Sequence, residues 1–243
     1  MRLKIKGLVI LMLAVTVTTL TGCFTGRENI DGPIETEIRS LDGDTFAGIE
    51  MRGIGDVQIF LADSNYIEIN THTDLFNNIT TDIVSDILVI DLHGQFTSID
   101  FIKFKVYTTQ SLNNIELTGV GNIHYDGPVT VTELNVSLDG VGNIEINDVQ
   151  AEDVIAKLFD VGNITLSGLA NQVDYLNDGV GNIEALELES LDATANLEGV
   201  GNIEVNAVET LVVDHDGVGK IYYVGNPEIT IRGKDRDVIS IDD

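Results

Sequence analysis

The sequence predicts an all-β protein wound as a β-solenoid, with coils of about 20 residues and an irregular, β-rich N-terminal cap. Two observations support this prediction. A five-residue phrase, Gly-Val-Gly-Asn-Ile, recurs through the second half of the chain. Apolar and polar residues alternate on both sides of that phrase. A fixed period near 20 residues is typical of proteins in which each repeat forms one coil stacked on the previous coil.

The phrase occurs four times unchanged and twice with one substitution. Unchanged copies stand at residues 119–123, 140–144, 179–183 and 199–203, and variants stand at 160–164 and 217–221. Successive copies start 21, 20, 19, 20 and 18 residues apart. This even spacing predicts stacked coils with no large loop inserted between residues 119 and 219.

Alternation around the phrase predicts two short strands in each coil. Apolar residues stand four and two positions before the first glycine, as at Val136 and Leu138. The pattern resumes after the phrase, as at Ile144 and Ile146. Because β-branched residues dominate and no 3.6-residue period is sustained, helices are disfavoured. Each coil is therefore predicted to contain a strand, a bend at Gly-Val-Gly-Asn and a second strand.

The residues of the predicted bend have conformational reasons to be there. Positive φ and close backbone approach cost little for Gly and are tolerated by Asn. We expect the valine between the glycines to point inward and fill the corner. The asparagines should stack about 4.8 Å apart, so that their side-chain amides can hydrogen-bond along the solenoid axis. The predicted corner residues are Gly121, Asn122, Gly142, Asn143, Gly162, Asn163, Gly181, Asn182, Gly201, Asn202 and Gly219.

The ends of the solenoid are predicted to differ from its middle, because an open sheet edge invites further strand pairing. Residues 45–110 should form N-terminal coils and a cap, and residues 111–243 the regular repeats. Gly-Ile-Gly-Asp-Val at residues 53–57 is a degenerate copy of the phrase. Pro227 and the polar residues 232–236 are expected to protect the C-terminal edge.

The first 22 residues are predicted to be a lipoprotein signal peptide, and residues 23–44 a tether. Three basic residues precede a short apolar run, and Leu-Thr-Gly-Cys at residues 20–23 matches a bacterial lipobox. Lipidation of Cys23 would hold the protein at a membrane, whereas the alternative is a plain signal peptide with an incidental cysteine. Cys23 is the only cysteine, so no disulfide can form within the chain. Phe24 after it indicates outer-membrane sorting in a Gram-negative host, facing the periplasm or the cell surface.

Charge narrows the choice of partners. The chain has 13 basic and 40 acidic residues, and its formal net charge is −27. Between residues 107 and 218 the only basic residue is Lys157. Such a surface repels nucleic acid, which is therefore not a predicted partner. The predicted partners are the membrane, through the lipid anchor, and an envelope or extracellular ligand that the sequence does not identify.

Several motifs together resemble the bacterial head GIN domain family of auto-transporter adhesins. They are the repeated phrase, the degenerate copy at residues 53–57, and Gly-Val-Gly-Lys-Ile-Tyr-Tyr-Val-Gly-Asn-Pro at residues 217–227. The resemblance covers residues 45–243. It implies a right-handed parallel β-helix on a secreted or lipid-anchored envelope protein. No catalytic residue is known for that family, so none is carried over to this chain.

Stacked acidic residues provide a candidate metal site. Carboxylates about 4.8 Å apart repel one another unless water or a cation intervenes, and Ca²⁺ prefers oxygen ligands. Calcium between coils is one hypothesis, and a solvated acidic face is the other, because no recognised calcium loop is present. No other cofactor is predicted, since the four histidines lack zinc-site spacing. The candidate calcium ligands are Asp139, Asp178, Glu198, Asp216, Glu184 and Glu204.

The predicted function is that of a lipid-anchored bacterial envelope protein whose acidic solenoid presents a non-catalytic binding, adhesion-like or structural surface. The alternative is a carbohydrate-active β-helix enzyme, either a polysaccharide lyase or a glycoside hydrolase, because carboxylates are plentiful. A lyase would need cationic groups, which Lys157 alone supplies poorly. A catalytic site should also interrupt the repeat with an inserted loop, so no catalytic residue is predicted.

Overall fold

The computed structural model describes residues 29–41, 45–96 and 98–241. In these ranges the chain forms one 17-stranded sheet and two short 3-10 helices, with no α-helix. The sheet curls into stacked coils of about 20 residues, giving about six turns. The predicted β-solenoid is confirmed. No helix of the described residues is long and apolar enough to cross a bilayer.

The N-terminal cap mixes parallel and antiparallel pairing. β1 pairs antiparallel with β4, β4 pairs antiparallel with β7, and β5 and β6 form an antiparallel hairpin. β2 and β3 already lie parallel to later strands, so the cap leads directly into the coils. A 3-10 helix at Thr73–Leu75 follows β4. The strands are β1 Ile34–Ser40, β2 Gly48–Met51, β3 Asp56–Leu61, β4 Tyr66–His72, β5 Ile79–Val84, β6 Ile87–Leu92 and β7 Ile102–Thr108.

The remaining strands pair in parallel with the strands of neighbouring coils. In the middle coils, the strand that follows one phrase continues into the strand that precedes the next phrase, so that the two form one strand of 16 to 18 residues. Successive strands are separated by the two residues before each phrase valine, as at Asp139 and Gly140. A second 3-10 helix lies at Asp235–Asp237. The strands are β8 Asn114–Leu117, β9 Val120–Asp126, β10 Val129–Leu138, β11 Val141–Leu158, β12 Val161–Asn177, β13 Val180–Leu197, β14 Val200–His215, β15 Val218–Val224, β16 Glu228–Gly233 and β17 Val238–Ser240.

Inward-facing residues stack into one continuous apolar core along the axis. The phrase isoleucines form one such column, and each is at most 1% exposed. Side-chain volumes complement one another between coils: Tyr175 is fully buried between Ala156 and Ala195, which are its partners in the coils on either side. This pairing of a large residue with two small ones keeps the core filled without strain.

The phrase valines point outward, so the prediction that they fill the corner is wrong. Their exposed fractions range from 45% at Val161 to 66% at Val218. The reason is that inward and outward positions alternate through the bend without interruption. Leu138 and Gly140 are buried, and so is Ile144 after the bend. Asp139 and Val141, which follow Leu138 and Gly140, are exposed. The glycines therefore occupy the inside of the corner.

The predicted tether at residues 23–44 is wrong in its second half. β1 lies within that range, and all seven of its residues pair with β4. Arg39 donates hydrogen bonds to the carbonyl oxygens of Ile79 and Phe76, both at 2.8 Å. Backbone pairing along β4 covers an edge that would otherwise be open, which explains why this polar segment folds onto the sheet. The signal peptide, Cys23 and residues 42–44 lie outside the described residues.

At the C-terminal end, β16 and β17 add the last partial coil. β16 pairs with β14, and β17 pairs with β15. Pro227 immediately precedes β16, and the polar residues 232–236 run from the end of β16 into the second 3-10 helix. The ammonium group of Lys234 donates hydrogen bonds to the backbone carbonyl oxygens of Asp216 and Gly217, which holds the final bend in place.

Candidate binding surface

The bend of each coil places three parallel columns of side chains on the outside of the solenoid. We call them the acidic column, the valine column and the asparagine ladder. The residue before the first position of the phrase forms the acidic column, at Asp139, Asp178, Glu198 and Asp216, with Thr118 and Phe159 in the two coils that lack an acid there. The valine column consists of Val120, Val141, Val161, Val180, Val200 and Val218. The asparagine ladder consists of Asn122, Asn143, Asn163, Asn182 and Asn202.

The asparagine ladder is continuous and directional. Each side-chain amide donates to the side-chain oxygen of the asparagine in the preceding coil, at 2.9 to 3.2 Å. The backbone N–H groups of Asn163 and Asn182 donate to the same acceptors, at 3.2 and 3.0 Å. Every interior asparagine thus acts as both donor and acceptor, which stabilises the corner in the manner of a cross-β amide ladder.

The ladder ends on residues that match its direction. Its first acceptor is Asp56 of the degenerate phrase, whose carboxylate accepts the backbone and side-chain N–H groups of Asn122 at 3.1 and 2.7 Å. A carboxylate suits this position, because the first member has to accept and never to donate. At the other end, the backbone N–H of Lys220 donates to Asn202 at 3.0 Å, and the lysine side chain is not part of the ladder.

The second glycine of each phrase makes the bend possible. Gly142 and Gly162 both have φ of 149°, a conformation that residues with a Cβ rarely adopt. A Cβ added to Gly162 would also lie 1.6 Å from the carbonyl oxygen of Gly142. Neighbouring coils therefore approach each other more closely at this corner than any other residue type would permit.

The valine column leads into an apolar cleft at its N-terminal end. Ile54 of the degenerate phrase forms a β-bridge with Val120 and extends the column into the cap. Beside it, residues between β6 and β7 form a wall, and the resulting cleft has a volume of about 590 Å³. Its apolar lining consists of Ile54, Leu92, Phe96, Ile99, Val120 and Val141.

A second depression, the acidic groove, lies on the part of each coil that precedes the bend. It has a volume of about 540 Å³ and runs across several coils. Its acids are Glu133, Asp153, Asp174 and Asp192, and Thr210 donates a hydrogen bond to Asp192 at 2.5 Å. No aromatic side chain is among the described residues that line it. A polar residue stands seven positions before every phrase except the first, which is a signal in the sequence, but alternation along a strand does not reveal a concave surface.

Comparison with known proteins assigns the family. The model of the family described as "Putative auto-transporter adhesin, head GIN domain" matches residues 45–227. The chain belongs to this family. No curated protein sequence matches it. The match of the family model confirms the resemblance that the phrase motifs indicate.

Solved structures share the fold of this head GIN domain. A putative adhesin from Bacteroides fragilis has a TM-score of 0.77 and 22% identity, over 88% of this chain and 97% of that chain. A putative lipid binding protein from Parabacteroides distasonis has a TM-score of 0.67 and 20% identity, over 88% and 97% of the two chains. A putative adhesin from Parabacteroides merdae has a TM-score of 0.64 and 19% identity, over 88% and 96%.

The candidate calcium ligands of the head GIN domain are exposed or partly exposed and lie in separate columns. Glu184 and Glu204 are partners in adjacent coils, and burial, followed by the charge of Glu184, raises the pKa of Glu204. Within the described ranges, no three acidic, histidine or cysteine side chains group so as to hold a metal ion. Ca²⁺ takes six to eight oxygen ligands, more than these separate columns bring together. Calcium binding here therefore stays a prediction. Equal melting midpoints in calcium and in chelator, at fixed ionic strength, would remove it.

The histidines of the head GIN domain serve local contacts. His124 lies between two carboxylates, with Nε2 2.6 Å from Asp126 and Nδ1 3.2 Å from Glu145. His215 is buried, and its Nε2 donates to the carbonyl of Gly219 at 3.1 Å. In another coil, Asn177 makes the equivalent contact with Gly181 at 2.8 Å. Both polar core residues thus hold the backbone of their own corner.

Proposed function

We propose that this head GIN domain is anchored by lipid at Cys23 in the cell envelope, where its solenoid presents a rigid, non-catalytic, adhesion-like surface. The observation that carries the proposal is the uninterrupted repeat. From β11 to β14 the residues at the bend pair in register from coil to coil, the bulges lie in the middle of the strands, and the valine column and the asparagine ladder continue across all of these coils. A surface of identical rungs suits an extended ligand better than a single reacting molecule. The family's description as an adhesin supports the same function.

The short length of chain before the fold limits how far the domain can stand from its anchor. Asp74 accepts hydrogen bonds from the backbone N–H groups of Asp31 and Gly32 at 3.0 and 2.7 Å, which attaches the chain to the cap at these two residues. The seven residues between Cys23 and Asp31 can span at most roughly 25 Å. In this proposal the cap therefore lies close to the membrane, and the C-terminal coils point away from it.

The charge of the domain supports the same arrangement. The chain carries a formal net charge of −27, and its middle coils have Lys157 as their only basic residue. Electrostatic repulsion from anionic lipid headgroups would keep the coils off the bilayer. The anchor would then hold the cap at the membrane while the repeated surface stays exposed to partners.

Two measurements on cells test this proposal. Metabolic labelling with a fatty-acid probe should modify the wild-type protein and not the Cys23→Ala variant. Protease added to intact cells should degrade the domain, while a periplasmic control protein stays intact. A domain that carries lipid but is protected from protease would face the periplasm, and the adhesion-like function would be wrong. A wild-type chain without lipid would overturn the anchor.

The acidic groove is the observation that favours the second candidate, a carbohydrate-active enzyme. Its stacked carboxylates provide the type of group that glycoside hydrolysis uses, although the groove offers no aromatic platform for a sugar ring. Release of reducing ends from envelope polysaccharides by the wild type, lost in Asp153→Asn or Asp174→Asn, would support an enzyme. Equal release by the wild type and both variants would exclude catalysis in this groove.

A further inference from the structure

We infer that the valine column and its apolar cleft form the docking site for an amphipathic helix of a partner protein, a helix with Lys or Arg along one edge of its apolar stripe. This inference rests on the proposed function as a binding surface and names the chemistry of the partner. Four observations carry it. The column consists of valines that the fold does not require, it ends in a concave apolar cleft, a row of acidic residues flanks it, and the spacing of the coils matches a helix.

The fold does not require valine in the column. These side chains are 45 to 66% exposed, whereas the inward columns are almost fully buried. Threonine has nearly the same shape and an equal preference for strands, so it would satisfy the backbone and would suit water better. Yet valine stands in all six coils. A continuous exposed apolar strip that the fold does not need is typical of an interaction site.

The apolar cleft gives the strip a place for an anchoring side chain. Leu92, Phe96 and Ile99 are only partly exposed, and together with Ile54 they turn the end of the flat column into a concavity of about 590 Å³. Binding energy at interfaces is concentrated where a large side chain fills such a pocket. Phe159, which is 41% exposed, widens the apolar strip farther along the same bend.

Charge decides between the possible occupants. Asp139, Asp178, Glu198 and Asp216 are exposed along one side of the valines, and Asp160 lines the cleft. The one cationic group at the cleft, Arg52, is paired with Glu50 at 2.5 and 2.6 Å. An occupant with positive charge along that edge therefore gains complementary attraction. Anionic lipid would be repelled, because the acids face it directly.

A second copy of this chain fits the column poorly. It would bring the same excess of acids to the interface, at a formal net charge of −27 for each chain. Two strips that are each one residue wide would also bury little apolar surface against each other, whereas stable dimers bury large interfaces. A single helix matches the width of the strip. Its apolar side chains recur about every 5.4 Å, close to the coil spacing of about 4.8 Å, whereas those on one face of a strand recur about every 6.7 Å.

The test measures peptide binding to the purified full-length chain and its variants. Two designed helical peptides of equal length are used, one of Leu and Lys with a single apolar stripe and one of Leu and Glu with the same stripe. The Leu/Lys peptide should bind the wild type, and salt should weaken its binding. Val161→Thr with Val180→Thr should weaken it at least about tenfold. Asp178→Asn with Glu198→Gln should weaken it less and reduce the dependence on salt.

Val208→Thr is the matched control, because Val208 is 44% exposed in β14 and lies outside the column. It should leave the Leu/Lys affinity unchanged within about twofold. Equal binding of both peptides, or equal weakening by Val208→Thr, would overturn the inference. The inference would also be overturned if the wild type bound zwitterionic phosphatidylcholine vesicles and Val161→Thr with Val180→Thr abolished that binding. The valine column would then bind lipid. These results are independent of the cell assays, so a protected, periplasmic domain could still bind the peptide.

Discussion

The regular coils and the N-terminal cap reach the same sheet by different means. In the coils, Gly142 pairs with Gly162 and Asn143 with Asn163, so each residue finds its own counterpart in the next coil. In the cap, β1, β4 and β7 pair antiparallel, and individual side chains such as Arg39 and Asp74 fix the arrangement. Repetition therefore sets the register in the coils, while the cap depends on contacts that occur once.

The largest expected effect tests whether the close approach of coils, and not φ alone, makes glycine necessary at the corners. Gly162→Ala should destabilise the domain by about 3 kcal/mol or more, because the new methyl group meets the carbonyl of Gly142. Gly127 has φ of 114°, but an added Cβ there has no heavy atom within 4 Å. Gly127→Ala should cost about 1 kcal/mol, the cost of φ alone. Denaturant unfolding of both variants measures the difference, and equal losses would contradict the explanation.

The next prediction compares a substitution of asparagine by aspartate in the ladder with a substitution of aspartate by asparagine in the cap. Asn163→Asp places a carboxylate oxygen against the side-chain oxygen of Asn143, at the position of a 3.0 Å hydrogen bond, and should destabilise by about 2 kcal/mol. Asp56→Asn keeps an acceptor for Asn122 and should change stability by about 0.5 kcal/mol or less. Thermal melts of the two variants give the comparison. A cost for Asp56→Asn as large as that for Asn163→Asp would show that the ladder has no direction.

The sequence was sufficient to predict the coils, since the phrase repeats and the strands alternate with period two. The pattern predicts Ile144 and Ile146 on the buried face, and both are fully buried. The expected inward orientation of Val141 is wrong, because inward and outward positions alternate through the bend. Following the same alternation through the glycines would have placed the valine outside.

The cap and the two depressions could not be predicted in the same way. β1 carries exposed Ile34 and Ile38, so it has no buried-face pattern that separates it from a tether. Its position follows from the free edge of β4 and from Arg39, which are contacts between distant parts of the chain. The apolar cleft likewise depends on the path of the chain between β6 and β7, which no local pattern determines.

A smaller effect compares two buried tyrosines. Tyr175, in the regular coils, has a hydroxyl with no hydrogen-bond partner among the described residues, and its burial raises its pKa. Tyr125, next to the cap, accepts a hydrogen bond from the backbone N–H of Leu112 at 3.1 Å. Tyr175→Phe should stabilise by about 1 kcal/mol, and Tyr125→Phe should destabilise by about 1 kcal/mol. Melting midpoints that shift in the same direction for both variants would contradict this account.

The smallest effect concerns the attachment of the chain's first described residues to the cap. His72 contacts the carbonyl oxygen of Gly32 at 2.7 Å and Asp100 at 3.2 Å. The contact with Gly32 raises the pKa of His72 above 6.5, and Asp100 and Asp74 raise it further, while desolvation opposes the shift. Because the folded pKa is raised, the stabilisation is complete below the unfolded pKa and is lost as pH rises through the folded value.

Hydrogen exchange can localise this effect. Protection factors, corrected for intrinsic exchange, should fall at Gly32 and in β1 between about pH 5.5 and about pH 8, while those of β12 stay unchanged. His72→Gln should remove the difference between the two pH values. If β12 loses protection together with β1, the cap and the coils unfold as one unit. The contrast between contacts made once and contacts made in every coil would then describe the geometry of this domain and not its stability.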